Sequence, residues 1–259
     1  MMMLRQRVLI LHAPGTNRDR EAALACELAG GEPEIVHINQ LLSGDRTLGA
    51  FRMLVLPGGF SYGDDLGGGR LWASDLLHRL WDDVRAFIAA SKPVLGICNG
   101  FQALVKAGLL PGNSSEGDVT LTHNALGKFE CRWVTLQPVE GSRSLWTRDL
   151  REPILCPVAH GEGRFAVKDE PARKRIWDEG LVALTYVNPA GQATCYPHNP
   201  NGSVDDIAGI CNAAGNVLGL MPHPEDHVFG LQHPRWTRGE RGGLGLPLFR
   251  NGLRLAAEV

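Results

Sequence analysis

The sequence predicts an α/β protein: an open, mostly parallel sheet flanked by helices, with β-rich additions in its second half. Three observations lead there. Short, wholly apolar runs recur at Val8-Leu9-Ile10-Leu11, Met53-Leu54-Val55-Leu56 and Val94-Leu95-Gly96-Ile97, without the alternation of a half-exposed strand, which is how strands buried on both faces read. Helical stripes lie between those runs, so strand and helix alternate through the first half. From Val119 onward strand-like runs dominate and helical stripes are few.

The first strand, 8–11, runs into the turn Ala13-Pro14-Gly15-Thr16-Asn17, and a helix over 19–29 is closed by Gly30-Gly31. Residues 34–38 and 53–56 are the next strands, the second stopped by Pro57-Gly58-Gly59. Across 71–88 the apolar residues Trp72, Leu76, Leu80, Val84, Phe87 and Ile88 form one helical stripe opposite Asp75, Arg79, Asp82 and Arg85. Trp72 and Trp81 are expected in the core. A strand at 93–97 leads into a helix over 99–107 that Gly108 stops. Further strands are expected at 130–136, 154–159, 181–187, 192–196, 207–211 and 217–221, then a surface loop at 230–247 and a short helix at 248–257. The expectation is one domain over residues 1–259, with a core of about 8–227 and a C-terminal extension of about 228–259. In such a sheet ligands bind beyond the carboxyl ends of the strands, which singles out the loops after Leu56 and Ile97.

The formal charge of −2 shows no surplus of Lys and Arg, so the chain is not expected to bind nucleic acid or an anionic membrane; a small polar substrate fits better. Six cysteines are scattered without a CxxC pair, which suits reduced thiols in a cytoplasm and argues against structural zinc. The apolar stretch in the opening run 1–12 is too short for a signal sequence or a membrane span.

Gly96-Ile97-Cys98-Asn99-Gly100 has the shape of a strand-to-helix turn that exposes one nucleophile, with glycines where side chains would collide. A lone cysteine between strand and helix is ordinarily a small core residue; the flanking glycines favour Cys98 as a nucleophile. A thiol nucleophile needs a base, and the base an orienting group. Met221-Pro222-His223-Pro224-Glu225 offers both at the end of a strand, although a histidine in a loop is commonly a surface group. Pro57-Gly58-Gly59-Phe60-Ser61-Tyr62-Gly63-Asp64 reads either as a plain turn or as a source of backbone N–H groups for an oxyanion, with the Asn99 N–H as second donor. No G-K-[ST] follows, so a phosphate cradle is disfavoured.

Together these three segments resemble the triad-type, class I glutamine amidotransferases, whose sheet has flavodoxin-like layering. Ala13-Pro14-Gly15-Thr16-Asn17, Phe129-Glu130-Cys131-Arg132-Trp133-Val134, Ala159-His160-Gly161-Glu162-Gly163-Arg164-Phe165 and Asn199-Pro200-Asn201-Gly202-Ser203 are more closely similar to the glutaminase subunits of phosphoribosylformylglycinamidine synthases. The resemblance implies that Cys98 attacks the side-chain amide of L-glutamine, His223 shuttles the proton, Glu225 orients His223, and a γ-glutamyl thioester is hydrolysed. It implies an oxyanion and substrate-binding set of Gly58, Gly59, Phe60, Asn99 and Gln102. No cofactor or metal is expected on this chain. ATP and magnesium belong to a synthetase subunit, which takes the ammonia and converts formylglycinamide ribonucleotide to formylglycinamidine ribonucleotide, with a small third subunit bridging the two. Arg18 stands where the family often has cysteine, and 65–70 reads as more flexible than its counterpart. His160-Gly161-Glu162-Gly163-Arg164 reads equally as a gating loop near the glutamine site or as a polar hairpin, outside the catalytic set. Two rivals stand beside this reading: another thiol enzyme of the same fold, peptidase or deglycase-like, and a catalytically idle regulatory module.

Overall fold

The computed structural model describes residues 5–112 and 117–259; the start of the opening run, residues 1–4, lies outside the described residues. Its strands are β1 (Arg7–His12), β2 (Glu32–His37), β3 (Met53–Leu56), β4 (Val94–Ile97), β5 (Val119–Thr122), β6 (Glu130–Pro138), β7 (Ile154–His160), β8 (Arg164–Val167), β9 (Val182–Val187), β10 (Ile207–Cys211) and β11 (Val217–Leu220). Its helices are α1 (Asp19–Leu28), α2 (Ile38–Leu42), α3 (Arg70–Arg79), α4 (Trp81–Ala89), α5 (Asn99–Lys106), α6 (Glu170–Asp178) and α7 (Leu246–Glu258).

One sheet runs β2-β1-β3-β4-β11-β10-β9-β6-β7, parallel from β2 to β11 and antiparallel from there to β7. The order reverses between β1 and β3, so a crevice opens beyond their carboxyl ends. β1, β3, β4 and β11 are adjacent there. β3, β4 and β11 are buried at every residue, as their wholly apolar runs require.

Helices cover the parallel half because each buries one apolar stripe. α7 inserts Leu248, Phe249, Leu253 and Leu255, each fully buried aliphatic or aromatic side chain contributing about 1.5–3 kcal/mol. It lies against α1 and the Leu145–Thr147 turn. Asn251 Nδ2 donates to the carbonyls of Trp146 and Arg148, both at 2.8 Å.

The structure corrects several expectations. The single stripe over 71–88 is two helices, α3 and α4, broken at Leu80 (φ −126°, ψ 9°); Leu80 stays buried, so the apolar period passes through a break that no Pro or Gly marks. Trp72 is fully buried, whereas Trp81 is half-buried under the Arg85 guanidinium. Ile38 ends no strand but opens α2, because His37 and Gln40 form a capping box. Residues 192–196 are loop: Thr194 N–H donates to Asp206 Oδ2 at 2.8 Å rather than to a neighbouring strand. Helix α6 was not foreseen, though Asp169 caps it by accepting from Ala172 N at 2.8 Å. The segment after His160 is no hairpin with β7, since β8 pairs with β5. Residues 65–70 are pinned: Gly68 N–H donates to Glu162 Oε2 (3.2 Å) and Lys106 Nζ to the Gly68 carbonyl (2.6 Å).

Candidate active site

β4 passes directly into α5 through Cys98, whose backbone sits at φ 50°, ψ −104°. A non-glycine residue in so sparse a region carries about 1–3 kcal/mol of strain and persists only where its surroundings fix it. Here the Cys98 N–H donates to the Leu220 carbonyl of β11 at 2.8 Å, and its own carbonyl accepts from Gln102 N at 3.0 Å. Position 100 must be glycine, because a Cβ there would run into the Leu56 carbonyl at the end of β3. The thiol is buried at the N-terminus of α5, whose first N–H groups have no carbonyl within the helix.

β11 delivers His223. After Leu220 the chain turns so that His223 N–H donates to the Pro157 carbonyl of β7 at 2.8 Å, and Pro224–Asp226 forms a short 3₁₀ turn. Glu225 Oε1 lies 2.7 Å from His223 Nδ1, both side chains being buried. A carboxylate accepts only, so Nδ1 donates to Glu225; Nε2 is buried with no hydrogen-bond partner by distance and angle among the described residues. Burial disfavours the imidazolium, but Glu225 and the neighbouring Cys98 outweigh it and hold the His223 pKa well above the usual histidine value. Gly58 closes the group: a Cβ there would come within 2.6 Å of His223 Cε1 and 3.5 Å of Cys98 Cβ.

The loop after β3 is held by backbone. Phe60 N–H donates to the Gly15 carbonyl at 3.1 Å and Arg18 N–H to the Gly58 carbonyl at 3.2 Å. Gly59 faces Thr16 across this bridge, as the residue between those two bonds, and its N–H has no backbone partner among the described residues. Phe60, also in the expected oxyanion and substrate-binding set, commits its N–H to Gly15 and leaves its ring exposed. Asn99 and Gln102 work through their amides. Asn99 Oδ1 accepts from Ser61 N (3.0 Å), and its Nδ2 donates to Asp64 Oδ1 (2.9 Å) and Gln102 Oε1 (3.0 Å). Gln102 Nε2 donates to the Glu162 carbonyl at 2.6 Å. The loop after β3, the first turn of α5 and the loop after β7 are thus stitched into one wall.

The sequence left the 160–164 segment open between a gating loop and a polar hairpin, and offered Asp64 only as the end of a turn. Glu162 and Asp64 are ordinary surface types whose roles show only through Asn99, Gln102 and Gly68. His160 is buried, with Nδ1 3.1 Å from Asn124 Oδ1. Burial, and secondarily the nearby His223, push its pKa down to about 3. His223, Glu225 and Asp226 offer donor atoms within 4.8 Å of one another. Of these, His223 Nδ1 and Glu225 Oε1 bond each other and Asp226 pairs with Arg18.

A buried thiol at a helix N-terminus beside a buried histidine bonded to a carboxylate is an arrangement suited to acyl transfer. Comparison with known proteins agrees in kind. The family model described as "CobB/CobQ-like glutamine amidotransferase domain" matches residues 5–255. A Treponema denticola protein named phosphoribosylformylglycinamidine synthase subunit PurQ is 48% identical, over 96% of this chain and 98% of its own. A protein of the same name from Dehalococcoides mccartyi is 42% identical over 99% and 100%. A solved structure titled "Structure of PurLQS from Thermotoga maritima" superposes with a TM-score of 0.74 at 34% identity, over 97% of this chain and 99% of that one. By a family match that spans nearly all of its length, the chain belongs to the CobB/CobQ-like glutamine amidotransferases.

Proposed function

We propose that this chain is the glutamine-hydrolysing subunit of a phosphoribosylformylglycinamidine synthase in purine biosynthesis. The observation that carries the chemistry is the buried His223–Glu225 pair, its Nε2 open beside Cys98. The names of the full-length relatives support the acceptor reaction. His223 takes the Cys98 proton as Sγ attacks the side-chain carbonyl of L-glutamine. The developing oxyanion is met by the Gly59 and Asn99 N–H groups. The C–N bond breaks, His223 returns the proton to the leaving nitrogen, and ammonia departs. Water, deprotonated by His223, then cleaves the γ-glutamyl thioester to glutamate.

Ammonia passes to a synthetase subunit that uses ATP to convert formylglycinamide ribonucleotide to formylglycinamidine ribonucleotide, and the PurLQS title supports a three-component assembly with a small bridging subunit. ATP and magnesium act on that partner, and this chain works without a cofactor of its own. The reading places it in the cytoplasm: its cysteines are free, and no described helix is long and apolar enough to cross a membrane. Family membership favours glutamine over the peptide or glycated substrates of other thiol enzymes on this fold.

The test is glutamate release from glutamine by the complex, wild type against Cys98→Ala. The variant should release none while still supporting synthesis from added ammonia. Unchanged glutamate release in the variant would remove Cys98 from the mechanism.

A further inference from the structure

Arg18 breaks a local rule. It is the N-cap of α1, a position that favours Ser, Thr, Asp or Asn, and its side chain makes no capping bond. A cation at a helix N-terminus also opposes the helix dipole. Its side chain instead crosses to the catalytic turn, with Nη1 3.3 Å from Asp226 Oδ1 and 3.2 Å from Oδ2. Local rules are broken chiefly where function needs it.

Asp226 directly follows Glu225, and its N–H donates to the His223 carbonyl at 3.2 Å. Its carboxylate is 13% exposed and Arg18 36%, so water screens the pair only in part. The same Arg18 holds the oxyanion loop by its backbone, donating to the Gly58 carbonyl at 3.2 Å. Gly58 abuts His223 Cε1. One residue thereby touches both halves of the site, the turn that carries base and orienter and the loop that carries an oxyanion donor.

We propose that Arg18 is a positioning residue, whose ion pair with Asp226 clamps the Pro224–Asp226 turn to the loop before α1 and keeps Glu225 seated on His223. The inference rests on the glutamine-hydrolysing reading of the site. Four charged groups face the Asp226 carboxyl: Glu225 and His223 from its own turn, Arg18 and Glu21 from the start of α1. Burial and Glu225 raise its pKa to about 6, while His223 and Arg18 oppose the rise. Below that pH Asp226 takes a proton and the clamp opens. Without Arg18 there is no clamp to open at any pH, and Asp226→Asn abolishes the titration, so either change removes this acid limb.

The experiment measures glutamate release with the synthetase partner for wild type, Arg18→Lys, Arg18→Met, Asp226→Asn and Arg18→Met/Asp226→Asn, each from pH 5 to 9. Iodoacetamide alkylation of Cys98, followed on its peptide, gives a readout that needs no glutamine. Arg18→Met and Asp226→Asn should each lower kcat roughly 10-fold with KM within about twofold, because small misplacement of a catalytic group costs rate before binding. The double variant should be no worse than the poorer single, and Arg18→Lys should recover most of the loss. The acid limb set by Asp226 should be lost in both single variants, and Cys98 alkylation should lose that pH dependence in parallel. Additive losses of roughly 100-fold in the double variant, or wild-type kcat and acid limb in Arg18→Met, would overturn the clamp. If wild type released no glutamate but Cys98 alkylation responded to Arg18, the clamp would stand and the glutamine reading would fail.

Discussion

The parallel edge and the antiparallel half hold their loops by different means. At the parallel edge backbone does the holding: Cys98 hangs from β11 by its N–H, Gly100 lets α5 pass the Leu56 carbonyl, and the oxyanion loop bridges to Gly15. Around β5, β7 and β8 buried amide side chains add to the backbone bonds in that part. Asn124 donates to the carbonyls of His160 (2.8 Å) and Lys128 (3.0 Å) and accepts from Gly163 N (3.0 Å). Asn201 donates to the Gly163 carbonyl (2.7 Å) and accepts from Ser203 Oγ (2.7 Å). Backbone held at strand ends places atoms to within tenths of an ångström, which a nucleophile needs. Amide networks fasten a wall to the sheet, which a pocket needs.

That contrast can be broken in four places. Cys98→Ala should have the largest effect, reducing glutamine hydrolysis by up to about 10⁶-fold with the fold intact, since one member of a covalent unit is lost; thermal unfolding and product release check both halves. Next is Gly100→Ala, whose new methyl must displace α5 or β3. It should lower kcat by at least about 100-fold without any reacting group being removed, and a variant with wild-type kcat would show that the turn tolerates movement. Asn124→Ala, in the other region, should cost about 2–4 kcal/mol of stability by stranding buried polar groups, yet change kcat less than Gly100→Ala. Denaturant midpoints compared with kcat decide it.

The last place is read by pH, and its slope is gradual. His160 is buried neutral with its pKa lowered to about 3, so the stability it lends is complete above the ordinary value of 6.5 and is lost as pH falls toward 3. Unfolding free energy should decline over that window by up to about 1.4 kcal/mol per pH unit, and His160→Gln should flatten the decline.

The parallel half was legible in the sequence because its signals are local. A strand buried on both faces is an apolar run, and the Cys98 turn carries its steric demands as adjacent glycines. His223 and Glu225 were legible as a strand-end pair two residues apart. The wall was not, because its logic lies between segments far apart in sequence. Nothing near Glu162 announces that its carbonyl will meet Gln102, and nothing near Arg18 announces Asp226, 208 positions away. The break at Leu80 escaped because the apolar period is unchanged across it. The loop at 192–196 was misread because its fastening, Asp206, is a side chain from another segment.

The central claim is that Cys98, served by His223, forms an acyl-enzyme with glutamine. Its most direct test is to quench the complex during turnover with glutamine and find by peptide mass which cysteine carries a γ-glutamyl group. Cys131 and Cys195, the two exposed thiols, serve as internal controls. The account predicts the adduct on Cys98 alone in the wild type, and none in His223→Ala. Glutamate release with the adduct on another cysteine, or an equal adduct in His223→Ala, would contradict it.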